Sequence, residues 1–367
     1  VKIVCNTKEL LGAVSLVGRA VPTRTTMPIY QHIKLVVTDG VVLMGTDLEC
    51  GIRYTMNGDT AVKERGESVV DPSRLAEILR ETGDDVVTIE ADKKGVYVTT
   101  TMGEFTMPTD DPSGFQDVVQ FDDSKGYIEM RAATFHSLAR RTLFAAAKDE
   151  GKYAMQGVLF DAHGGLFKAV ATDGKRLAVA NGPSINEATG DALGTAIVPS
   201  KAFGLVDQVA SNDADDAVVR VTWDKSTVWF QTTKATVTSR LVEGRFPSWR
   251  DVIPKKFAVT LNIDGGSFSS AVRQAAIMAD DESKRVVMEF DSGKVKMKAQ
   301  GATTGKSHVT LNLDYVHDAL SIAFDPDYLK DAFKALGNNV TMSMVDPNRP
   351  AVFKDGDDYL HMIVPMV

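Results

Sequence analysis

Three helical patterns in this chain open on a proline that follows a short apolar stretch: Val70-Asp71-Pro72-Ser73-Arg74-Leu75, Val198-Pro199-Ser200-Lys201-Ala202 and Phe324-Asp325-Pro326-Asp327-Tyr328-Leu329. The three prolines are equally spaced, 127 residues apart. Counted from each of them, apolar residues recur at the third, sixth and seventh positions: Leu75, Ile78 and Leu79, then Ala202, Leu205 and Val206, then Leu329, Ala332 and Phe333. This is one face of a helix, written three times. Proline suits the first helical position because its φ is already set and it has no amide hydrogen to leave unpaired, while Asp71 and Asp325 are placed to cap. Equal spacing of a repeated face implies a triplicated chain.

A second helix recurs earlier in each repeat. Thr7 to Ala20 puts Leu10, Leu11, Val14 and Val17 on one stripe, Ala133 to Ala147 does so with Phe135, Leu138 and Leu143, and Ser267 to Ala279 with Phe268, Ala271, Val272 and Ala275. Each follows a strand pattern, at Val1 to Cys5, Tyr127 to Met130 and Phe257 to Ile263. Alternating runs such as Ile33 to Val37, Val86 to Glu90, Val218 to Trp223, Val228 to Thr232, Val286 to Phe290 and Val295 to Lys298 are separated by Gly, Asp or Asn turns. The prediction is an α+β chain of three repeated domains, each with two helices backed by antiparallel sheets. The junctions Asp123-Ser124-Lys125-Gly126 and Ile253-Pro254-Lys255-Lys256 set the domains at 1–126, 127–254 and 255–367.

Composition adds exclusions. A chain of 367 residues, 44% hydrophobic and 25% charged, is globular and too long for one ordinary core. No apolar run approaches the roughly 20 residues of a membrane span and no export signal is seen, so a cytoplasmic protein is expected. Cys5 and Cys50 sit in strand-like runs away from any His cluster, which points to two buried thiols. A net charge of −8 argues against coating nucleic acid with the whole surface, but leaves room for a local basic lining.

The apparent catalytic motifs are weak. Gly301-Ala302-Thr303-Thr304-Gly305-Lys306-Ser307 has three residues between its glycines where a phosphate-binding loop needs four, and a strand pattern from His308 to Leu313 follows where that site needs a helix N-terminus. The acid clusters Asp110-Asp111, Asp213 to Asp216 and Asp280-Asp281-Glu282 lie in loop-like stretches without histidine. His32, His136, His163, His308, His317 and His361 show neither metal-ligand spacing nor a paired nucleophile. No enzyme, cofactor or metal is expected.

Positive charge is concentrated on the predicted helices: Lys8, Arg19, Arg74, Arg80, Arg140, Arg141, Lys148, Lys201, Arg273, Lys330 and Lys334. If the helices face a common interior, these side chains would hold duplex DNA through its phosphates without reading bases. The blander alternative is an ordinary solvated helix face, since Glu77, Glu81, Asp207, Asp327 and Asp331 share these helices.

Near the middle, Ala171-Thr172-Asp173-Gly174-Lys175-Arg176-Leu177-Ala178-Val179 reads as a hairpin with a tight Asp-Gly turn and two cations at its bend. With Glu243-Gly244-Arg245-Phe246-Pro247-Ser248-Trp249-Arg250 and the terminal Ile363-Val364-Pro365-Met366-Val367, it resembles the bacterial DNA sliding clamps, the β subunits of the replicative DNA polymerase. The resemblance runs the whole length. It implies a head-to-tail homodimer forming a six-domain ring on duplex DNA, with no base preference. It also implies a hydrophobic cleft that takes short peptides from the polymerase, the clamp loader and repair proteins.

Carried over by motif, the cleft takes Thr172, Gly174, Lys175, Arg176 and Leu177 from the hairpin, Pro247 and Val252 from the second segment, and Met362, Val364, Pro365 and Met366 from the tail. Met155, Tyr328 and Pro350 are further wall positions. Polarizable Met with rigid Pro and Leu makes a groove tolerant of related sequences, and so apolar a tail would be odd unless docked. Lys175, Trp249, Asp251 and Val367 depart from the residues frequent in the family, which bears on partner preference. The resemblance also places Arg24, in Pro22 to Pro28, against DNA, with Lys152 and Lys284-Arg285 near its path. Phe105 and Met107 match the interface strand, and Ile277 and Met278 the facing helix. The rival expectations are a peptide-binding scaffold that never encircles DNA, and a nucleotide-using enzyme built on the Gly301 to Ser307 loop.

Overall fold

The computed structural model describes the chain except residues 57, 59, 150, 152, 164–165, 187–193, 212, 215, 280–283 and 367, and the side chain of 153. Lys152, Val367, Asp215 and the Asp280-Asp281-Glu282 cluster therefore lie outside the described residues. Backbone contacts group the chain into two compact units: Val1–His136 with Ala162–Gly165 and Ser184–Leu241, and Ser137–Asp161 with Leu166–Pro183 and Val242–Val367.

The helices are α1 (Thr7–Val17), α2 (Pro72–Glu81), α3 (Ala132–Thr142), α4 (Ser200–Ala210), α5 (Trp249–Val252), α6 (Gly265–Ala276) and α7 (Pro326–Ala335). Asp71 accepts from the amides of Ser73 and Arg74 at 2.8 and 3.1 Å, and Asp325 from that of Asp327 at 2.9 Å, so α2 and α7 are capped as expected with proline at the first position. Helix α4 differs: it begins after Pro199 without a side-chain cap, because Val198 stands where the other two repeats have aspartate.

Three helix ends fall short of expectation. Helix α1 stops at Val17; Arg19, Ala20 and Val21 then bond back to Leu16, Val17 and Gly18 in tighter three-residue turns. Helix α3 ends at Thr142, whose hydroxyl bonds back to the Leu138 carbonyl at 2.6 Å and whose φ of −128° leaves the helical region; a 3₁₀ turn, Leu143–Ala145, follows. Lys148 consequently lies beyond the helix. Helix α6 ends at Ala276 rather than Ala279.

The first unit holds two antiparallel sheets. One runs Ala61–Glu64, Lys2–Asn6, Val86–Ala91, Val96–Thr99, Glu104–Met107. The other runs Ile128–Arg131, Val218–Trp223, Thr227–Gln231, Ala235–Arg240, Cys50–Met56, Val41–Thr46, Ile33–Val37, Gly66–Val70. This second sheet is continuous from the first repeat into the second through the pairing of Val237 with Ile52. Helices α1 and α2 pack together, and Phe135 meets Phe203 edge-on at 5.0 Å.

After strand Glu104–Met107 the chain crosses back over this sheet. Phe115 and Val118 bury themselves against Tyr30, Met44 and Val69. Lys34, its side chain 5% exposed, reaches Asp117 at 2.8 Å and Glu67 at 2.9 Å. A β-carbon at Gly51 would stand 2.8 Å from a Val118 methyl, so this crossing needs glycine there.

In the second unit one sheet includes the run Leu166–Thr172, Arg176–Pro183, Tyr359–Ile363, Ala351–Asp355, Asn339–Met344, Val259–Asp264. The other is Gly305–Asn312, Lys294–Gly301, Val286–Asp291, Leu320–Phe324. Helices α6 and α7 cover a core in which Phe333 lies 5.2 Å from Phe268 and 5.6 Å from Phe353. Cys5 and Cys50 are buried free thiols, pushed up by burial to about 12 and about 11. Among the described residues no helix is long and apolar enough to cross a membrane.

Candidate functional site

The central hairpin forms, with a wider turn than a two-residue Asp-Gly bend. Pairing closes at Thr172 opposite Leu177, leaving Asp173 to Arg176 to turn the chain. Asp173 accepts from the amides of Lys175 and Arg176 at 2.9 and 3.0 Å, and Gly174 takes φ +89°, which favours glycine.

The two cations at this turn part company. Lys175 is exposed. Arg176 is 8% exposed and turned inward. Its Nε donates to Asp173 at 3.0 Å, Nη1 to Asp331 on α7 at 2.9 Å, and Nη2 to the Phe144 carbonyl at 2.6 Å. The guanidinium lies 4.7 Å from the Tyr328 ring centroid and 5.4 Å from that of Phe144. Burial pushes the Asp331 carboxyl up, but hydrogen bonds and charge from Arg176 and Lys334 outweigh it and hold the group below the usual range. Burial raises the Tyr328 phenol, with Asp173 and Asp325 adding to it.

The last strand lies against the hairpin, Met362 opposite Leu177 and Ile363 opposite Arg176. Beyond it the Val364 amide donates to the Lys175 carbonyl at 2.9 Å and the Met366 amide to that of Ala323 at 2.8 Å. Leu177, Met362 and Pro365 are buried, Met366 is half-buried and Val364 is 37% exposed. Pro350 is half-buried, one residue ahead of Ala351, which pairs with Ile363. These contacts bring Thr172, Gly174, Lys175, Arg176, Leu177, Tyr328, Met362 and Val364 together, while Met366 is tied to Ala323.

Pro247 and Val252 are exposed and carried on or beside α5. That short helix is anchored by Arg250, which reaches the buried Asp161 at 2.8 Å and covers the Trp249 ring at 4.3 Å. Met155 is half-buried, its carbonyl accepting from the Ala147 amide at 2.8 Å. Sequence reading missed Asp331, Phe144, Asp161 and Arg250. The one available signal was Asp331 standing three residues past Tyr328 on one helix.

The helix cations divide similarly. Lys8, Arg19, Arg24, Arg80 and Lys148 are exposed, as is Arg74, 4.0 Å from Glu77. Lys201 is drawn to Asp47 at 2.5 Å. In the second unit Arg140 donates to the Lys334 carbonyl at 3.0 Å and Arg273 to the Ser269 hydroxyl at 2.7 Å. Lys330 pairs with Asp327 at 3.2 Å and Lys334 with Asp331 at 3.0 Å. Lys284 has φ +36° and lies 3.8 Å from Asp327, with Arg285 exposed beside it. Arg141 is the exception, with a side chain 19% exposed, paired to Asp355 at 3.1 Å and 5.2 Å from the Tyr359 ring.

Phe105, 42% exposed, lies on the edge strand Glu104–Met107, whereas Met107 on the same strand is 6% exposed and belongs to the core. Ile277, just past α6, is 69% exposed, and Met278 is half-buried with its carbonyl on the Thr304 hydroxyl at 2.8 Å. The Gly301 to Ser307 stretch is a turn between antiparallel strands, with Gly301 opposite Gly305 and no helix following. Asp111 accepts from the Ser113 amide at 2.9 Å, and His136 pairs with Asp207 at 2.8 Å. Among the described residues no cluster of three or more His, Cys, Asp or Glu is placed to hold a metal ion.

Residues 1–118, 129–248 and 250–367 match, in turn, the family models of the DNA polymerase III beta subunit N-terminal, central and C-terminal domains. The chain belongs to the DNA polymerase III beta subunit family. It is 25% identical to the beta sliding clamp of Synechocystis over 374 residues, covering 96% of this chain and 95% of that one. It is 26% identical to the beta sliding clamp of Pseudomonas aeruginosa over 364 residues, covering 98% of each. The fold is similar to the DNA polymerase sliding clamp of Bacillus subtilis, with TM-score 0.91, 22% identity and coverage of 100% and 99%. It is also similar to a sliding clamp (DNA polymerase III subunit beta) of P. aeruginosa bound to griselimycin, with TM-score 0.90, 25% identity and the same coverage. The three-domain clamp fold and the sliding-clamp function follow, and a member of this family is a processivity factor, not a catalytic enzyme.

Proposed function

We propose that two copies of this chain join head to tail into a six-domain ring around duplex DNA, each copy contributing domains at 1–126, 127–254 and 255–367. Edge strand Glu104–Met107, through Phe105, and the end of α6, through Ile277, form the seam. Exposed cations such as Arg24, Arg74, Arg80, Arg140, Lys201, Arg273 and Lys334, with the half-buried Lys330, meet the phosphates. Retention is topological, so weak phosphate contacts suffice, and strong ones would hinder sliding.

The groove beside the hairpin binds short apolar peptide segments of the replicative polymerase, the clamp loader and repair proteins, in the cytoplasm. The observation that carries this part is that Val364 bonds to the Lys175 carbonyl, Met362 pairs with Leu177 and Tyr328 lies over Arg176, which brings tail, hairpin and α7 together.

The test is run-off. Protein loaded on nicked circular DNA is expected to stay in high salt and to leave once the circle is linearised. Retention on the linear form, or no retention on the circle, would leave only the scaffold that does not encircle DNA.

A further inference from the structure

The guanidinium of Arg176 sits where a partner would be expected to meet a cation, yet each of its three nitrogens donates to this chain: to Asp173, to Asp331 and to the Phe144 carbonyl. One of the two carboxylates, Asp331, also holds Lys334 at 3.0 Å, and that lysine side chain is 76% exposed. Around this guanidinium two cations and two carboxylates thus cancel, while Lys175 stays exposed on the same turn. Asp149 and Asp325 are the further charges acting on the Tyr328 face of the groove.

We infer that Asp331 is a specificity-determining residue of the groove: by balancing Arg176 it keeps the floor neutral, so that a partner segment gains nothing from an acidic side chain placed over it. This rests on the reading of the groove as a peptide pocket. Arg176 is then a wall that fixes Tyr328 and the hairpin, not a donor to the partner. The physical reason is that a cation this buried is weakly screened, so losing one of its carboxylates leaves a field that a nearby ligand feels. Asparagine at 331 keeps one oxygen to accept from Arg176, removes the charge and gives up the acceptor for the exposed Lys334.

The experiment uses two synthetic peptides carrying the clamp-binding segment of the replicative polymerase, identical but for Asp or Asn beside the apolar anchors. Their affinities are measured by fluorescence anisotropy on the full-length wild type, Asp331→Asn and Asp331→Glu. In Asp331→Asn the preference for the Asp peptide over the Asn peptide is expected to rise about fivefold. Asp331→Glu is expected to keep the wild-type ratio.

A ratio unchanged in Asp331→Asn, with both peptides weakened alike, is what a merely supporting residue would give and overturns the inference. If Asp331→Asn melts below the assay temperature, Asp173→Asn removes the other carboxylate from the same guanidinium and is expected to raise the same ratio. An unchanged ratio there overturns the inference too. Wild type binding neither peptide would overturn the pocket reading itself, and this inference with it.

Discussion

The imidazole of His361 lies against the Phe144 ring, centroids 5.5 Å apart, with no exposure to solvent. Burial, helped by the charge of Arg176 and opposed by that of Asp331, brings its pKa down from 6.5 to about 3. The unfolded chain therefore takes up a proton on this histidine between those values and the folded chain does not. Stability from this group is complete above about pH 6.5 and is lost as pH falls towards 3. On the order of 2 kcal/mol should go between pH 7 and pH 5. Denaturant midpoints across this range measure it, and His361→Phe should flatten the slope; an equally steep slope in that variant would assign the acid lability to other groups.

Arg80 and Arg141 should respond oppositely to truncation. Arg80 is exposed on α2, so Arg80→Ala is expected to leave the melting temperature unchanged and to lower the salt dependence of DNA association by about one ion. Arg141→Ala takes the cation from Asp355, 25% exposed, leaving that carboxylate only the Gly337 amide at 3.2 Å, and should cost roughly 2 kcal/mol of stability. Calorimetry and salt titrations of binding separate the two, and the reverse pattern would remove Arg80 from the DNA-facing set.

At the proposed seam, Phe105→Ala combined with Ile277→Ala should give monomers in sedimentation velocity at concentrations where wild type is expected to sediment as a dimer. Met107→Ala, by contrast, opens a cavity within one protomer and is expected to cost about 2 to 5 kcal/mol. A double variant that stays dimeric would move the seam elsewhere.

Much of the fold was legible because local signals agreed. The Asp-Pro openings at 71–72 and 325–326 coincide with a repeated apolar face, and both helices form where read. The overrun of α3 into Ala145 to Ala147 came from an apolar stretch that continues after the Thr142 hydroxyl has drawn the backbone away. Strand alternation shows which residues face inward but not which edges meet, so the Val237 to Ile52 pairing was invisible, and the resemblance that put Leu177 and Met362 in one cleft did not give their strand register. The hairpin declared itself through Asp173-Gly174. The inward turn of Arg176 did not, since one of its acids lies 155 residues further along the chain.

The crossing segment around Phe115 and Val118 takes the place of a helix layer on part of one sheet, roofing Tyr30, Met44 and Val69 with irregular chain buttoned at Lys34. A protease that nicks this belt would bare an oily strip on the sheet it shields. Cleavage there should make the protein clump, not release a tidy fragment.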